Sequence, residues 1–337
     1  MKIIISHKSA LEYWRLHRNE NIGSVSVNHQ ICVPDRLPNI TDLRDILPKG
    51  LSYPVNLLFG SATDRRKSKL VHPHVYKGST SEFFFVRIAK DVLVCSPEFC
   101  FFQMAGYLSL VKLIELGFEF CGTYCLPNSG NDRLDGFGNG SETTNRKNFG
   151  HPQLTTSKAL KKCISQMEGV RGLQKSSRAQ RNIIEGSASP METILTMLLC
   201  LPHKLGGYEL PAPELNKKID MKKPAALRPG QSMMHELSNA YYVCDLFWPD
   251  ADIAVEYDSE SYHTGAGRIA RDAKKRFDLA KLGIEVITVT IGQVKDITEF
   301  ESLAYYIAKK IHKRIQIKNK HFRKAQQELR DSLLKFH

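Results

Sequence analysis

A chain of 337 residues with 48 Lys and Arg against 35 Asp and Glu carries a formal charge of +13 and has room for two domains with cores of their own. That balance suits a protein that binds a phosphate backbone, and no apolar run approaches the ~20 residues of a membrane span. The opening Met1-Lys-Ile-Ile-Ile-Ser-His-Lys is too short for a secretory leader, so a cytoplasmic protein without membrane contact is expected.

Residues 1–127 read as an α+β domain. Ser6-His-Lys-Ser-Ala-Leu-Glu-Tyr-Trp14 has the form of a capped helix start, and short strands are expected between Gly50 and Ile88. Asp91-Val-Leu-Val-Cys95 reads as a strand feeding a second helix begun by Ser96 and Pro97. The eight cysteines are scattered, and the close pair Cys121 and Cys125 lacks the second ligand pair of a structural zinc site, so free thiols in a reducing compartment are expected. Residues 128–150 hold five Gly and five Asn and read as a flexible loop; Asp132 and Asp135 within it lack calcium-loop spacing. Leu154 to Glu185 reads as helical and basic, through Lys158, Lys161, Lys162, Arg171, Lys175, Arg178 and Arg181. The segment 151–186 is therefore expected to connect two domains or to lie along DNA.

Beyond residue 186 the pattern changes. Ser189, Pro190 and Glu192 have capping-box spacing at the head of an apolar helix, a spacing that also leaves Glu192 available to support a metal site. Tyr208 to Asp220 suggests a first strand plus a loop reaching Leu237. Tyr241 to Trp248 and Ile253 to Asp258 are aromatic and β-branched runs joined by turn chemistry at Pro249 to Asp252, a hairpin. A loop of two or four residues pairs Asp245 with Glu256, and alternation puts Asp258 on the same face with Val243, Phe247 and Ala254; Tyr242, Leu246, Val255 and Tyr257 take the other. A hairpin apolar on both sides belongs in the centre of a sheet. Opposed carboxylates repel unless compensated, and a hard divalent cation would compensate them.

A helix follows from about Arg268 to Leu282, stopped by Gly283, with Ile269, Ala273, Phe277 and Ala280 as its predicted buried stripe. The strand Ile284 to Ile291 comes next. Ile307, Ile311 and Ile315 keep helical spacing, and residues 312–337 read as a basic helical tail suited to phosphate contact.

Asp245-Leu-Phe-Trp-Pro, Ala254-Val-Glu256-Tyr-Asp258, His263, Asp272-x-x-x-Arg276 and Leu282-Gly283-Ile-Glu-Val-Ile together resemble the Vsr-like nuclease domain, related to the very-short-patch repair endonucleases, of the PD-(D/E)XK or restriction-endonuclease-like superfamily. The resemblance covers 187–311 and implies an αβββαβ domain with a central mixed sheet. It implies a Mg²⁺-dependent DNA endonuclease, with Mn²⁺ substituting and no organic cofactor. Asp245, Glu256 and Asp258 would bind the metal, His263 and Lys275 or Arg276 would act on water or phosphate, and Glu192 and Asp272 would support them. Ser259 stands where the pattern has glycine, and Asp258 where the superfamily has lysine; Lys274, Lys275 or Arg276 would then supply the charge from the next helix. DNA contacts are expected at Arg271, Lys274, Lys281, Lys309, Lys310, Lys313 and Arg314.

In the first half, Ile5-Ser-His-Lys-Ser-Ala-Leu-Glu-Tyr-Trp14 and Val94-Cys-Ser-Pro-Glu-Phe-Cys-Phe-Phe-Gln-Met-Ala105 resemble two landmarks of the AbiEi-type antitoxin and regulator family. A fusion of the two implies an antiviral defence, toxin–antitoxin or mobile-element setting with a partner protein. The alternative reading is a non-cleaving DNA-binding antitoxin or regulator that keeps a decayed nuclease fold.

Overall fold

Apolar runs too short to be helices become the strands of two mixed sheets. The computed structural model describes residues 2–19, 33–34, 43–61, 69–78, 82–128, 149–221, 241–258 and 266–334. They form two compact units, one made of the described residues up to Glu185 and one beginning at Gly186. Most of the Gly- and Asn-rich segment, the loop reaching Leu237, and His263 lie outside the described residues.

The first unit runs β1 (Ile3–Ile5), α1 (His7–Leu16), α2 (Leu43–Ile46), β2 (Val55–Phe59), β3 (Val71–Val75), β4 (Phe85–Ala89), β5 (Val92–Cys95), α3 (Pro97–Met104), α4 (Leu110–Phe120), α5 (Ser157–Ser165) and α6 (Leu173–Gln180). Its sheet has the order β3-β2-β1-β5-β4, with β1 parallel to β5, β2 parallel to β3, and the other two pairs antiparallel. Ser96 caps α3 by accepting the Phe99 amide, with Pro97 at the first helical position, as the sequence suggests. Strand β1 and helix α4 went unread in the sequence. The segment expected as a connector forms α5 and α6, which pack against α3 and α4 as part of this unit. Lys175 is among its bases that turn inward, its ammonium donating to the carbonyls of Ala105 and Leu108. Cys95, Cys100, Cys121, Cys125 and Cys163 are free and buried. Among the described residues no helix is long and apolar enough to cross a membrane.

The second unit runs α7 (Pro190–Cys200), β6 (Glu214–Asp220), β7 (Tyr241–Trp248), β8 (Ile253–Asp258), α8 (Ala266–Lys281), β9 (Glu285–Thr290), α9 (Ile291–Lys295), α10 (Ile297–Lys310) and α11 (Phe322–Leu334). Its sheet order is β6-β7-β8-β9, with β8 and β9 parallel and the rest antiparallel, so the hairpin is central. A single 3-10 turn at Pro249–Ala251 and Asp252 in the left-handed region make the four-residue turn. It sets the pairs Leu246↔Val255, Phe247↔Ala254 and Trp248↔Ile253, the anticipated register.

Three expectations change here. The face of α8 toward the sheet carries Lys275, Asp278 and Leu279, while Ala273 is exposed and Phe277 is 64 % exposed. Tyr242 explains the rotation: its hydroxyl donates to the Asp278 carboxylate at 2.9 Å, so a buried acid takes a core position that apolar periodicity cannot foresee. Next, α10 stops at Lys310, leaving Ile311 and Ile315 beyond its end. Finally, the basic tail is helical over Phe322–Leu334, as read, but one face of it belongs to the core. Helix α11 buries Phe322, Leu329 and Leu333, its Gln326 amide donates to the Tyr208 hydroxyl, and Arg330 donates to the carbonyls of Val294 and Lys295.

Candidate functional site

Glu192 sits in the first turn of α7, where the Ser189 hydroxyl caps the helix by accepting the Glu192 amide. The reciprocal half of a capping box is missing. The Glu192 carboxylate instead accepts the Ala188 amide at 2.7 Å and the Asn216 side-chain amide at 2.6 Å, both through Oε2. Asn216 lies in β6 with φ +49°, a left-handed conformation that Asn tolerates better than most residues, and its amide also donates to the Gly186 carbonyl. Sequence reasoning missed this residue; an Asn inside an otherwise extended run was the signal for it. Glu192 is only 6 % exposed, and burial, opposed by these hydrogen bonds, holds its carboxyl above the usual range.

The regular ladder between β7 and β8 ends at Leu246↔Val255, one pair before Asp245 and Glu256. There an Asp245 side-chain oxygen accepts the Tyr257 amide at 2.9 Å. Tyr242 and Cys244 join the same buried cluster as Phe247 and Ala254, together with Leu279 of α8. Strict alternation, which would group Val243 with Phe247, is therefore broken at Asp245. Burial first, then the charges of Glu192 and Glu256, push the Asp245 carboxyl up to about 7. Two acids from α7 and β8 thus act on a third from β7.

Lys275 of α8 reaches this group. Its ammonium donates to Glu256 Oε2 at 2.5 Å and to the Val243 carbonyl at 2.6 Å, while Glu256 Oε1 is buried without a hydrogen-bond partner. Of the three candidate bases, Lys274 and Arg276 are less enclosed and Lys275 alone makes this contact among the described residues. The Cys244 thiol is pushed up to about 12, by burial and then by Glu256.

The other anticipated residues are more dispersed. Asp258 is half-buried at the end of β8, opposite Thr290, and Asp272 is exposed on α8. Arg271, Lys274, Lys309, Lys313 and Arg314 are exposed, as phosphate contacts need to be. Lys281 and Lys310 already pair with Asp278 and Glu285.

A hard cation prefers oxygen donors, and Glu192, Asp245 and Glu256 offer these alone. The orphaned Glu256 Oε1 and the raised Asp245 carboxyl suit a divalent metal in their chemistry, although Lys275 already balances the charge of Glu256. Against this, no group of three or more His, Cys, Asp or Glu side chains is drawn together as a ready metal cage among the described residues. Compared with known proteins, the chain matches no family model, no curated protein and no solved structure.

Proposed function

We propose that the second unit is a metal-dependent endonuclease that hydrolyses DNA phosphodiester bonds. The observation that carries this reading is the convergence of Glu192, Asp245 and Glu256 with Lys275, at a point where the Asp245 carboxyl rises to about 7. Carboxyls raised by burial and by one another's charge are the kind of group that sites built for chemistry collect. The αβββαβ order from α7 to β9 and the mixed sheet support it further.

Asp245 and Glu256 would hold the cation, with Glu192 or Asp258 completing the donor set. A bound Mg²⁺ lowers the pKa of its water and neutralises charge developing on the phosphate. Asn216 and the Ala188 amide fix Glu192. Lys275 stands in for the lysine absent two positions after Glu256, its amino group lying 2.5 Å from Glu256 Oε2. The exposed bases Arg271, Lys274, Lys309, Lys313 and Arg314 would contact the DNA backbone.

One pair of observations favours the second reading, a DNA-binding antitoxin or regulator that does not cleave. Lys275 already neutralises one oxygen of Glu256, and the carboxylates are not drawn into a three-ligand cage among the described residues. Titrating the metal-stripped protein with Mn²⁺ separates the two. Endonuclease function predicts a bound ion whose affinity falls by more than about tenfold in Asp245→Asn, since losing a direct ligand costs at least what disturbing the outer shell does. No binding at millimolar Mn²⁺ would leave the non-cleaving reading standing.

A further inference from the structure

The first unit carries an aromatic cluster unrelated to the carboxylate site. His7 opens α1 with φ +51°, a left-handed backbone uncommon outside glycine, and its amide donates to Gln103 Oε1 at 2.9 Å. Strain of this kind collects where a side chain must be aimed. The His7 ring stacks on His74 with centroids 3.7 Å apart and planes at 22°, and Tyr107 meets both rings edge-on.

The hydrogen bonds fix what these rings can do. The Asn56 amide donates to Ser9, which leaves its oxygen to accept from His74 Nε2 at 2.8 Å. His74 Nδ1 then accepts from the Tyr107 hydroxyl at 3.3 Å, and the ring is a neutral imidazole. His7 Nδ1 is 2.9 Å from the Ser6 hydroxyl. Burial, then His74 and His72, lower the His7 imidazole to about 3; burial and then His72 lower His74 to about 4. Rings that stay uncharged at neutral pH make poor general acids, and the described residues assemble no three-ligand metal group here. What remains is a neutral aromatic group in which His7 and His72 both pack on His74, while Tyr107, edge-on to His7 and His74, is left 58 % exposed. Exposed Lys77, just beyond β3, supplies positive charge, as does exposed Lys8, next to His7, whose ammonium lies 4.0 Å from Glu12.

We propose that Tyr107, held edge-on against the stacked His7 and His74 rings, forms a base-stacking site for single-stranded nucleic acid on the first unit. Every base has a π-face, so such a platform is tolerant of sequence, and the phosphates need only nearby cations. The site is independent of the carboxylate group and of whether that group cleaves.

The test is fluorescence anisotropy on the full-length protein in EDTA, which suppresses metal-dependent cleavage. The probes are a short oligothymidylate, the matching oligouridylate and an abasic oligonucleotide of the same length and charge. Tyr107→Ala should weaken the oligothymidylate or the oligouridylate by roughly tenfold, the worth of one stacked base, and leave the abasic probe unchanged. Whichever of the two suffers more identifies DNA or RNA as the ligand. Tyr107→Phe, which keeps the ring, should bind as the wild type does. Photocrosslinking to bromouracil-containing oligonucleotide should label the segment holding Tyr107 or His7. Equal binding of abasic and base-bearing probes, an unaffected Tyr107→Ala, equal loss of all probes, or crosslinks confined to residues after 186 would each overturn the proposal.

Discussion

Asp245 is the residue on which charge weighs most. Its carboxyl is raised to about 7 in the folded protein, against an ordinary value near 4 in the unfolded chain. Between those values the native state holds a proton that the unfolded state has released. The contribution to stability is therefore fully present below about pH 4, is lost as pH rises through about 7, and stays lost above it. Without metal, Asp245→Asn should raise the melting temperature at about pH 8 and flatten its fall between about pH 4 and 7, because Asn still accepts the Tyr257 amide. Calorimetry across pH checks this; a melting temperature lowered by the substitution at alkaline pH would contradict it. Lys275→Met makes the complementary case. It strands the buried side of Glu256 and should cost about 1–3 kcal/mol, less than a fully buried pair would because both groups keep some exposure. Adding Glu256→Gln should restore most of that loss, a coupling that denaturant melts of the single and double variants measure. The sequence named three adjacent bases for this position but not which one. Successive helical residues point about 100° apart, so the choice waits on which face packs against β7 and β8.

At the scale of elements, hairpin register was legible because the turn residues and the apolar runs agree on one pairing. The face of α8 was not, since Asp278 is buried by its bond to Tyr242 and Phe277 is left outside. Periodicity counts apolar residues and is blind to a polar group with a waiting partner. Strand β1 was too short to signal itself: three isoleucines beside a helix cap carry no period. The tail misled through its charge, for the buried residues Phe322, Leu329 and Leu333 are spaced among exposed bases. Deleting 318–337 should consequently remove about 5 kcal/mol or more of apolar burial and broaden or abolish the melting of the second unit, rather than merely weaken DNA binding. A small substitution tests the same packing. Gly206 has φ +93°, and a Cβ there would lie 2.4 Å from the Ala325 carbonyl oxygen of α11. Gly206→Ala should therefore lower the melting temperature where an exposed alanine substitution would not.

For the whole molecule, the proposed DNA binding together with a charge of +13 predicts an affinity that falls steeply with salt. Lys309, Lys313 and Arg314 are exposed, whereas Lys281 and Lys310 are engaged with Asp278 and Glu285. Replacing the first three with Ala should flatten the slope of log affinity against log salt by close to one unit for each phosphate no longer neutralised, and replacing Lys281 and Lys310 should flatten it less. Anisotropy with duplex DNA over a range of salt distinguishes the two sets; identical slopes would place the phosphate-binding surface elsewhere. Hydrolysis at the carboxylate group is the central claim, and it is tested most directly by incubating metal-stripped protein, supplied with Mg²⁺, with duplex, nicked, mismatched and single-stranded DNA. The expected result is cleavage of at least one substrate by the wild type, none without metal, and a loss of at least about a hundredfold in both Asp245→Asn and Glu256→Gln with DNA binding retained. Cleavage at the wild-type rate by either variant, or no cleavage of any substrate by a wild-type protein that binds DNA, would contradict it.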